Sequence, residues 1–289
     1  MHYAEYKTIL SPQNGMNVYR GCSHGCIYCD SRSKCYQMQH DFEDIEVKNN
    51  TVQILESQLR RKRKPCMVGT GAMCDPYIHV EENLKIMRQC LELIEKYGCG
   101  VTIITKSDRI IRDLDLLKTI NDKTKCVVQM TLTTVDEALC RIIEPNVSTT
   151  LERVTALKIL QKEGIPTVVW LCPILPFIND TEENLRGILD YCVEAGVKGI
   201  INFGFGVTLR EGSREYFYEK LDEHFLGMKE RYIREFGNSY ECTSHNNAKL
   251  STMFKAECQH HGILYKPGAV FEYLKEFEKK ENQLSWFSG

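Results

Sequence analysis

The chain lacks any apolar run near the roughly 18 residues that a membrane-spanning helix needs. Its opening, Met1-His2-Tyr3-Ala4-Glu5, has none of the features of a signal peptide, so a cytoplasmic location is expected and no membrane partner. Charge of one sign is also missing. The 37 Lys and Arg against 39 Asp and Glu leave a net charge of −2, which argues against a protein that coats nucleic acid by bulk electrostatics. The one basic run, Arg60-Arg61-Lys62-Arg63-Lys64, closes a predicted helix just before Pro65. It reads either as dipole-complementing charge or as a polyanion contact. No linker and no low-complexity stretch divides the 289 residues.

Cysteine is what the chain has in excess, with fourteen residues. Apart from one cluster they are scattered singly, as at Cys90, Cys99, Cys126, Cys140, Cys172, Cys192 and Cys258 in apolar segments, as small buried hydrophobes are and a disulfide framework is not. Thiols at this density suit a reducing compartment. The exception is Cys22-Ser23-His24-Gly25-Cys26-Ile27-Tyr28-Cys29. Three thiols spaced C-x3-C-x2-C can face one metal centre but cannot fill four tetrahedral positions. An open corner is a chemical tool, whereas a closed four-cysteine site is usually structural. The competing possibility is zinc held by these three with His24 or Cys35, although zinc sites normally pair two C-x2-C knuckles and no second knuckle is present.

Short β-branched runs alternate with helical stretches. Strands are predicted at 17–19, 67–69, 101–104, 126–130, 167–170 and 199–202. Helices are predicted over 51–64, 81–97, 110–120, 151–163, 181–195 and 215–236. Continuous apolar strands separated by helices imply a parallel sheet with right-handed crossovers, here an α/β partial (β/α)6 TIM-type barrel. Residues 1–240 would form the barrel. Residues 241–289 would form a C-terminal helical cap on the same domain, with disordered ends. In such folds the chemistry sits at the C-terminal ends of the strands, where the cysteine loop falls directly after the first.

The cysteine motif, with an aromatic before its last thiol, resembles the radical S-adenosylmethionine (radical SAM) superfamily. Within it, Asn17-Val18-Tyr19-Arg20-Gly21-Cys22, Asp75-Pro76-Tyr77 with Glu81, Thr105-Lys106-Ser107, Thr131-Leu132-Thr133-Thr134, Ile143-Glu144-Pro145, Pro173-Ile174-Leu175-Pro176 and Asn179-Asp180 resemble the spore photoproduct lyase-like branch over about residues 9 to 240. The resemblance implies an enzyme that holds a [4Fe–4S] cluster on Cys22, Cys26 and Cys29, its unique iron chelated by SAM. Reductive cleavage of SAM would give a 5′-deoxyadenosyl radical that abstracts hydrogen from an organic substrate. It also implies a one-electron donor such as flavodoxin or ferredoxin, and cofactor contacts from Tyr28, Lys106, Thr131 and Thr133. Gly69-Thr70-Gly71 stands where the superfamily often has Gly-Gly-Glu, so Thr70 would serve in place of the acid.

Two departures bear on the substrate. Asp30 follows the third cysteine where the lyases have tyrosine, and Ala72 occupies the position of their hydrogen-donating cysteine, with Cys74 two residues on. Cys74 and Tyr77 are the catalytic candidates, the one as a hydrogen donor and the other as a phenol able to relay a hydrogen atom. A nucleobase, nucleotide or DNA lesion leads as substrate, with a peptide or small metabolite as the alternative. A non-catalytic zinc or iron–sulfur sensor is the alternative of a different class. Arg153, in a first helical turn, is expected to pair with Glu144 or the cofactor, and Asp75 to cap the turn at Pro76. Asp180 or Thr181 should cap the following helix, and Arg210 is a candidate for an anionic substrate group. His260 and His261, in a late amphipathic helix, are expected as surface or packing residues and not as metal ligands.

Overall fold

A computed structural model describes residues 1–280. Six strands run side by side in chain order: Gly15–Met16, Met67–Thr70, Gly100–Thr105, Cys126–Thr131, Thr167–Trp170 and Gly199–Ile201. Every neighbouring pair is parallel, with registers such as Ile103↔Val128 and Val169↔Ile200. Unbroken sequential order with helical crossovers is the wall of a partial barrel, as the sequence pattern predicts. The fourth strand is buried at all six positions, because helices cover one face and the barrel interior covers the other.

The first stave differs from expectation. Tyr19–Arg20 pairs antiparallel with Glu46–Lys48 in a separate three-stranded sheet, which His2–Ala4 completes. The barrel's own first strand is only Gly15–Met16, too short to carry a periodic signal. The helix expected over 81–97 is broken into Glu81–Leu84 and Ile86–Lys96, with Lys85 at φ 51° between them. Buried Glu81 causes the break, since its carboxylate accepts the N–H groups of Ile86 and Met87, both at 3.0 Å, and caps the second helix. The stretch 215–236 is two helices, Ser213–His224 and Met228–Phe236, and the segment 110–120 begins as a 3-10 turn, Asp108–Asp113. A helix at Glu137–Ile143 was not predicted. Asp136 caps it through the N–H groups of Ala138 and Leu139.

Beyond the sixth strand the chain is not purely helical. Glu241–Thr243 pairs antiparallel with Gly206–Thr208, its alternation of exposed Glu241, buried Cys242 and exposed Thr243 being that of an edge strand. Helix Asn247–His260 then adds Leu250, Phe254 and Cys258 to the main core. Leu264 bridges Gly199 in parallel and extends the open edge of the barrel. Helix Pro267–Lys275 next sets Val270 and Leu274 against Val127, Val168 and Ile201. Those strand residues alternate with Val128, Val169 and Ile200, which belong to the helix-covered core, so the last helix packs on the opposite, inner face. The ends expected to be disordered lie outside the described residues on the C-terminal side.

Candidate active site

The cysteine loop is clipped in place by backbone. The Cys22 N–H donates to the Phe42 carbonyl at 3.0 Å, and Ile27 N–H to the Ile143 carbonyl at 3.0 Å. Asn146 donates from its main chain to the His24 carbonyl at 3.1 Å and from its side chain to the Ser23 carbonyl at 3.0 Å. Gly21 has φ +82°, and a Cβ there would stand 2.5 Å from the Phe42 oxygen, so only glycine admits this approach. Of the three thiols, Cys26 is buried and Cys22 and Cys29 are half-buried.

Cys29 and Tyr28 line a cavity of about 760 Å³ at the C-terminal ends of the strands. The volume lies in the range of small-ligand sites. Gly71, Ala72, Met73, Lys106, Thr131 and Cys172 line it from successive strand ends, with Trp170, Phe203 and Asn247 among those on the far side. Gly71, at φ +95°, passes so close to the third strand that a Cβ would fall 1.9 Å from the Ile104 carbonyl oxygen.

Lys106 is half-buried on this wall, its ammonium 5.9 Å from the centre of the Tyr28 ring. Among the described residues no carboxylate oxygen lies within 4.0 Å of it. Burial opposes its charge, but Cys26 and Glu144 outweigh that and raise its pKa to about 12. A cation so placed fits an anionic ligand group. The hydroxyls of Thr70 and Thr133 are buried without any hydrogen-bond partner, and Thr131 lines the cavity itself. Thr70 and Thr133 are not in the cavity lining, but each is close in sequence to a residue that is, Gly71 and Thr131 respectively, and an unsatisfied buried hydroxyl calls for a polar partner.

Behind the cavity is a buried charged pair. Arg153 reaches Glu144 at 2.5 Å, both with fully buried side chains, and also donates to the Thr131 carbonyl at 2.7 Å. The Tyr28 hydroxyl donates to the other Glu144 oxygen. Arg153 therefore pairs with Glu144 and joins the third cysteine's neighbour to the end of the fourth strand. Asp75 is buried and accepts from Tyr77 N–H at 2.8 Å, Lys106 N–H at 2.7 Å and Thr105 Oγ1 at 2.8 Å. It thus caps the Pro76 turn as expected, and it also meets His24 Nε2 at 3.0 Å. Burial would pull the His24 imidazole down, but Asp75 and Cys22 reverse this and raise its pKa.

Several candidates are placed elsewhere. Tyr77 is fully buried and donates to Asp113 at 3.1 Å, within a network of Arg112, Arg88 and Glu81, outside the cavity lining. Its partner lies 36 residues away in sequence, so the side chain ties this loop to the Asp108–Asp113 turn. Cys74 is buried beside Cys22 and lines a smaller neighbouring cavity of about 270 Å³ with Tyr19 and Lys48. Burial pushes its thiol well up, whereas Cys22, hydrogen-bonded by Cys74, is lowered to about 6. Arg210 pairs with Asp30 at 3.4 Å and Tyr240 at 2.9 Å. Thr181 is the helix cap, accepting from Asn184 N–H at 3.1 Å. The basic run 60–64 leads into the start of the second strand and so lies at the opposite end of the barrel from the cavity. Cys172, read from sequence as a core filler, lines the cavity, where burial raises its thiol to about 12.

The zinc alternative finds no support in this geometry. A tetrahedral zinc site sets sulfurs about 3.8 Å apart. Cys22, Cys26 and Cys29 do not form a group with donor atoms within 4.8 Å of one another. His24 is engaged by Asp75 and the Asn146 carbonyl, and exposed Cys35 contacts Arg210. At the mouth of the parallel barrel Cys29 therefore shares a cavity wall with Lys106, whose ammonium has no carboxylate partner among the described residues, an arrangement able to take a metal centre beside a small anionic ligand.

The chain belongs to the Radical SAM superfamily, whose profile matches residues 16–192. Enzymes of this superfamily use a [4Fe–4S] cluster and SAM, need an electron donor, and act on a bound substrate. It is 30% identical over 210 residues to an uncharacterized protein of Mycobacterium tuberculosis, covering 70% of this chain and 61% of that protein's length. It is also 30% identical over 169 residues to an uncharacterized protein of Methanocaldococcus jannaschii, covering 58% of this chain and 62% of the relative. In structure it is similar to a spore photoproduct lyase variant with bound AdoMet and dinucleoside spore photoproduct, with TM-score 0.62 and 15% identity over 86% of this chain and 74% of that one. A second lyase variant gives TM-score 0.64 at 13% identity over 91% of this chain and 80% of that one. These two show the shared fold. No helix among the described residues is long and apolar enough to cross a membrane.

Proposed function

We propose that Cys22, Cys26 and Cys29 hold the [4Fe–4S] cluster, that SAM lies across the strand ends against Lys106, and that a nucleobase or nucleotide is the substrate. When bound, cluster and cofactor together supply a 5′-deoxyadenosyl radical, a hydrogen-abstracting agent. The observation that carries this proposal is the half-buried Lys106 ammonium, without a carboxylate partner, on the wall that Cys29 also lines. Lys106 would fix the methionine carboxylate. The Thr70, Thr131 and Thr133 hydroxyls would meet SAM's polar groups, and the Tyr28 backbone its adenine. Glu144 and Arg153 hold Tyr28 and the Thr131 carbonyl in place beneath them.

Support for the substrate class comes from two other rings of the cavity lining, Trp170 and Phe203, which stand with centres 6.1 Å apart, Phe203 exposed. An exposed ring at a cavity offers a face for a base to stack on. The fold shared with an enzyme that binds a dinucleoside photoproduct agrees with this. Ala72 at the lyases' donor position and the displaced Cys74 argue against thymine-dimer repair by their route. Cys172, kept protonated on the cavity wall, is better placed than Cys74 to return a hydrogen atom to a substrate. A flavodoxin- or ferredoxin-type donor would supply the electron. The test is deuterium transfer: the anaerobically loaded enzyme, reduced with SAM present, should move label from a deuterated nucleotide or oligonucleotide pool into 5′-deoxyadenosine. Label arriving only from peptide or small-metabolite pools would remove the nucleotide assignment.

A further inference from the structure

On the outer side of the cysteine loop, two imidazoles and two carboxylates converge. His2 opens the N-terminal strand and lies opposite Glu46 in the parallel pairing. Its Nδ1 is 2.8 Å from Asp44 Oδ2 and its Nε2 3.5 Å from Glu46 Oε2. The His40 Nε2 faces the same Glu46 oxygen at 3.8 Å, and the two imidazole rings stand edge to face with centres 4.7 Å apart. One donor atom from each of His2, His40 and Asp44 lies within 4.8 Å of the other two; among the described residues no other such group is found.

The protonation pattern says what this cluster lacks. His40 Nδ1 is 2.9 Å from the Asp41 carbonyl, which only accepts, so in a neutral ring that nitrogen carries the proton. The Nε2 lone pair is left free, and that atom is buried without a hydrogen-bond partner. What it faces is a carboxylate oxygen. Tyr6 already donates to the other oxygen of Glu46, which therefore acts as an acceptor there. Two lone pairs facing each other repel unless a proton or a metal cation stands between them. A backbone carbonyl that fixes one ring nitrogen while the other points inward is also the usual setting of a metal-binding histidine.

We propose that His2, His40 and Asp44, with Glu46 beside them, form a site for one divalent transition metal of the zinc class. Two imidazoles with carboxylate oxygens suit zinc and its neighbours, whereas calcium and magnesium prefer all-oxygen shells. Tetrahedral zinc with nitrogen and oxygen ligands sets donors about 3.3 Å apart, so the group, whose donors lie within 4.8 Å of one another, closes by at most about 1.5 Å on binding. His2 and Asp44, each about two-fifths exposed, have the freedom to make that movement. The site ties the N-terminal strand to the loop whose Phe42 carbonyl accepts the Cys22 N–H, and so braces the first cluster thiol from outside. It is distinct from the three-cysteine centre and does not depend on the function of that centre.

The test uses this 289-residue chain with nothing added before Met1 and with its iron–sulfur cluster already loaded, titrated with Zn2+ by calorimetry and assayed for metal after desalting. One zinc per chain beyond the cluster iron is expected, with affinity weakened at least roughly tenfold in His40→Ala, Asp44→Asn and the gentler surface change His2→Gln. Iron content should stay at the wild-type level in all three. Co2+ in place of zinc should give ligand-field bands without a sulfur-to-cobalt charge-transfer band. Absence of saturable zinc, binding unchanged in the variants, or a thiolate charge-transfer band would overturn the proposal. If His40→Ala fails to fold, zinc-dependent protection from thermal unfolding in wild type and its loss in His2→Gln decides the matter.

Discussion

Alanine at any one of Cys22, Cys26 or Cys29 is expected to abolish the brown iron–sulfur chromophore and to lower SAM cleavage by more than roughly 100-fold. Loss of a partner one step removed from a metal already costs 10–100-fold, and loss of a ligand exceeds that. Iron and sulfide analysis after anaerobic reconstitution, followed by chromatography of 5′-deoxyadenosine, measures both effects. Cys74→Ala and Cys172→Ala sharpen the comparison. Both should keep about four irons, because neither thiol belongs to the C-x3-C-x2-C set. Cys172→Ala should alter substrate turnover while leaving SAM cleavage in place, since Cys172 lines the cavity and Cys74 does not. Equal iron loss in all five variants would mean that the loop is not the ligand set.

The second large effect is on stability. Glu144→Ala or Arg153→Ala leaves a fully buried charge without its partner, and each should cost about 3–5 kcal/mol in denaturant unfolding. The double change Glu144→Gln with Arg153→Met should cost clearly less than the two single losses together, because no uncompensated charge remains. Burial alone would raise the Glu144 carboxyl, but Arg153 and Lys106 outweigh it and hold the group below the ordinary carboxylate range. A carboxyl depressed in the folded state stabilises at pH values above the unfolded pKa of about 4.3. That stabilisation is lost as pH falls through the lower, folded-state value. Unfolding midpoints measured from neutral pH down to about pH 3 should therefore fall more steeply in wild type than in the double variant.

What sequence could and could not convey follows from the range of each interaction. The cysteine motif was legible because its chemistry is local, with three ligands within eight residues on one loop. The strand at Thr167–Trp170 was legible because a β-branched run flanked by Pro166 and a turn leaves little alternative. The two-residue first stave was not, because Val18 and Tyr19 beside it carry the stronger pattern yet pair with Glu46–Lys48. The helix break at Lys85 depends on the burial of Glu81, which also holds Tyr19 and Arg112 from distant segments. Tyr77 was misplaced for the same reason: sequence put it on the correct loop but could not show that Asp113 would draw its hydroxyl away. Cys172 was undervalued because one thiol in an apolar run looks alike whether it faces the core or the cavity. The Arg153–Glu144 pair succeeded from sequence through a simple conflict, a cation in the first turn of a helix, which called for a nearby carboxylate.

Electron paramagnetic resonance of the reduced, cluster-loaded enzyme, recorded with and without SAM, tests the central claim most directly. The cluster signal should shift on adding SAM, because an iron left free by three thiolates accepts the cofactor. Lys106→Met should need roughly 30-fold more SAM for the same shift, the loss of about 2 kcal/mol from one charged contact. A reduced cluster whose spectrum is indifferent to SAM at any concentration, or a colourless protein carrying only zinc on these cysteines, would contradict it.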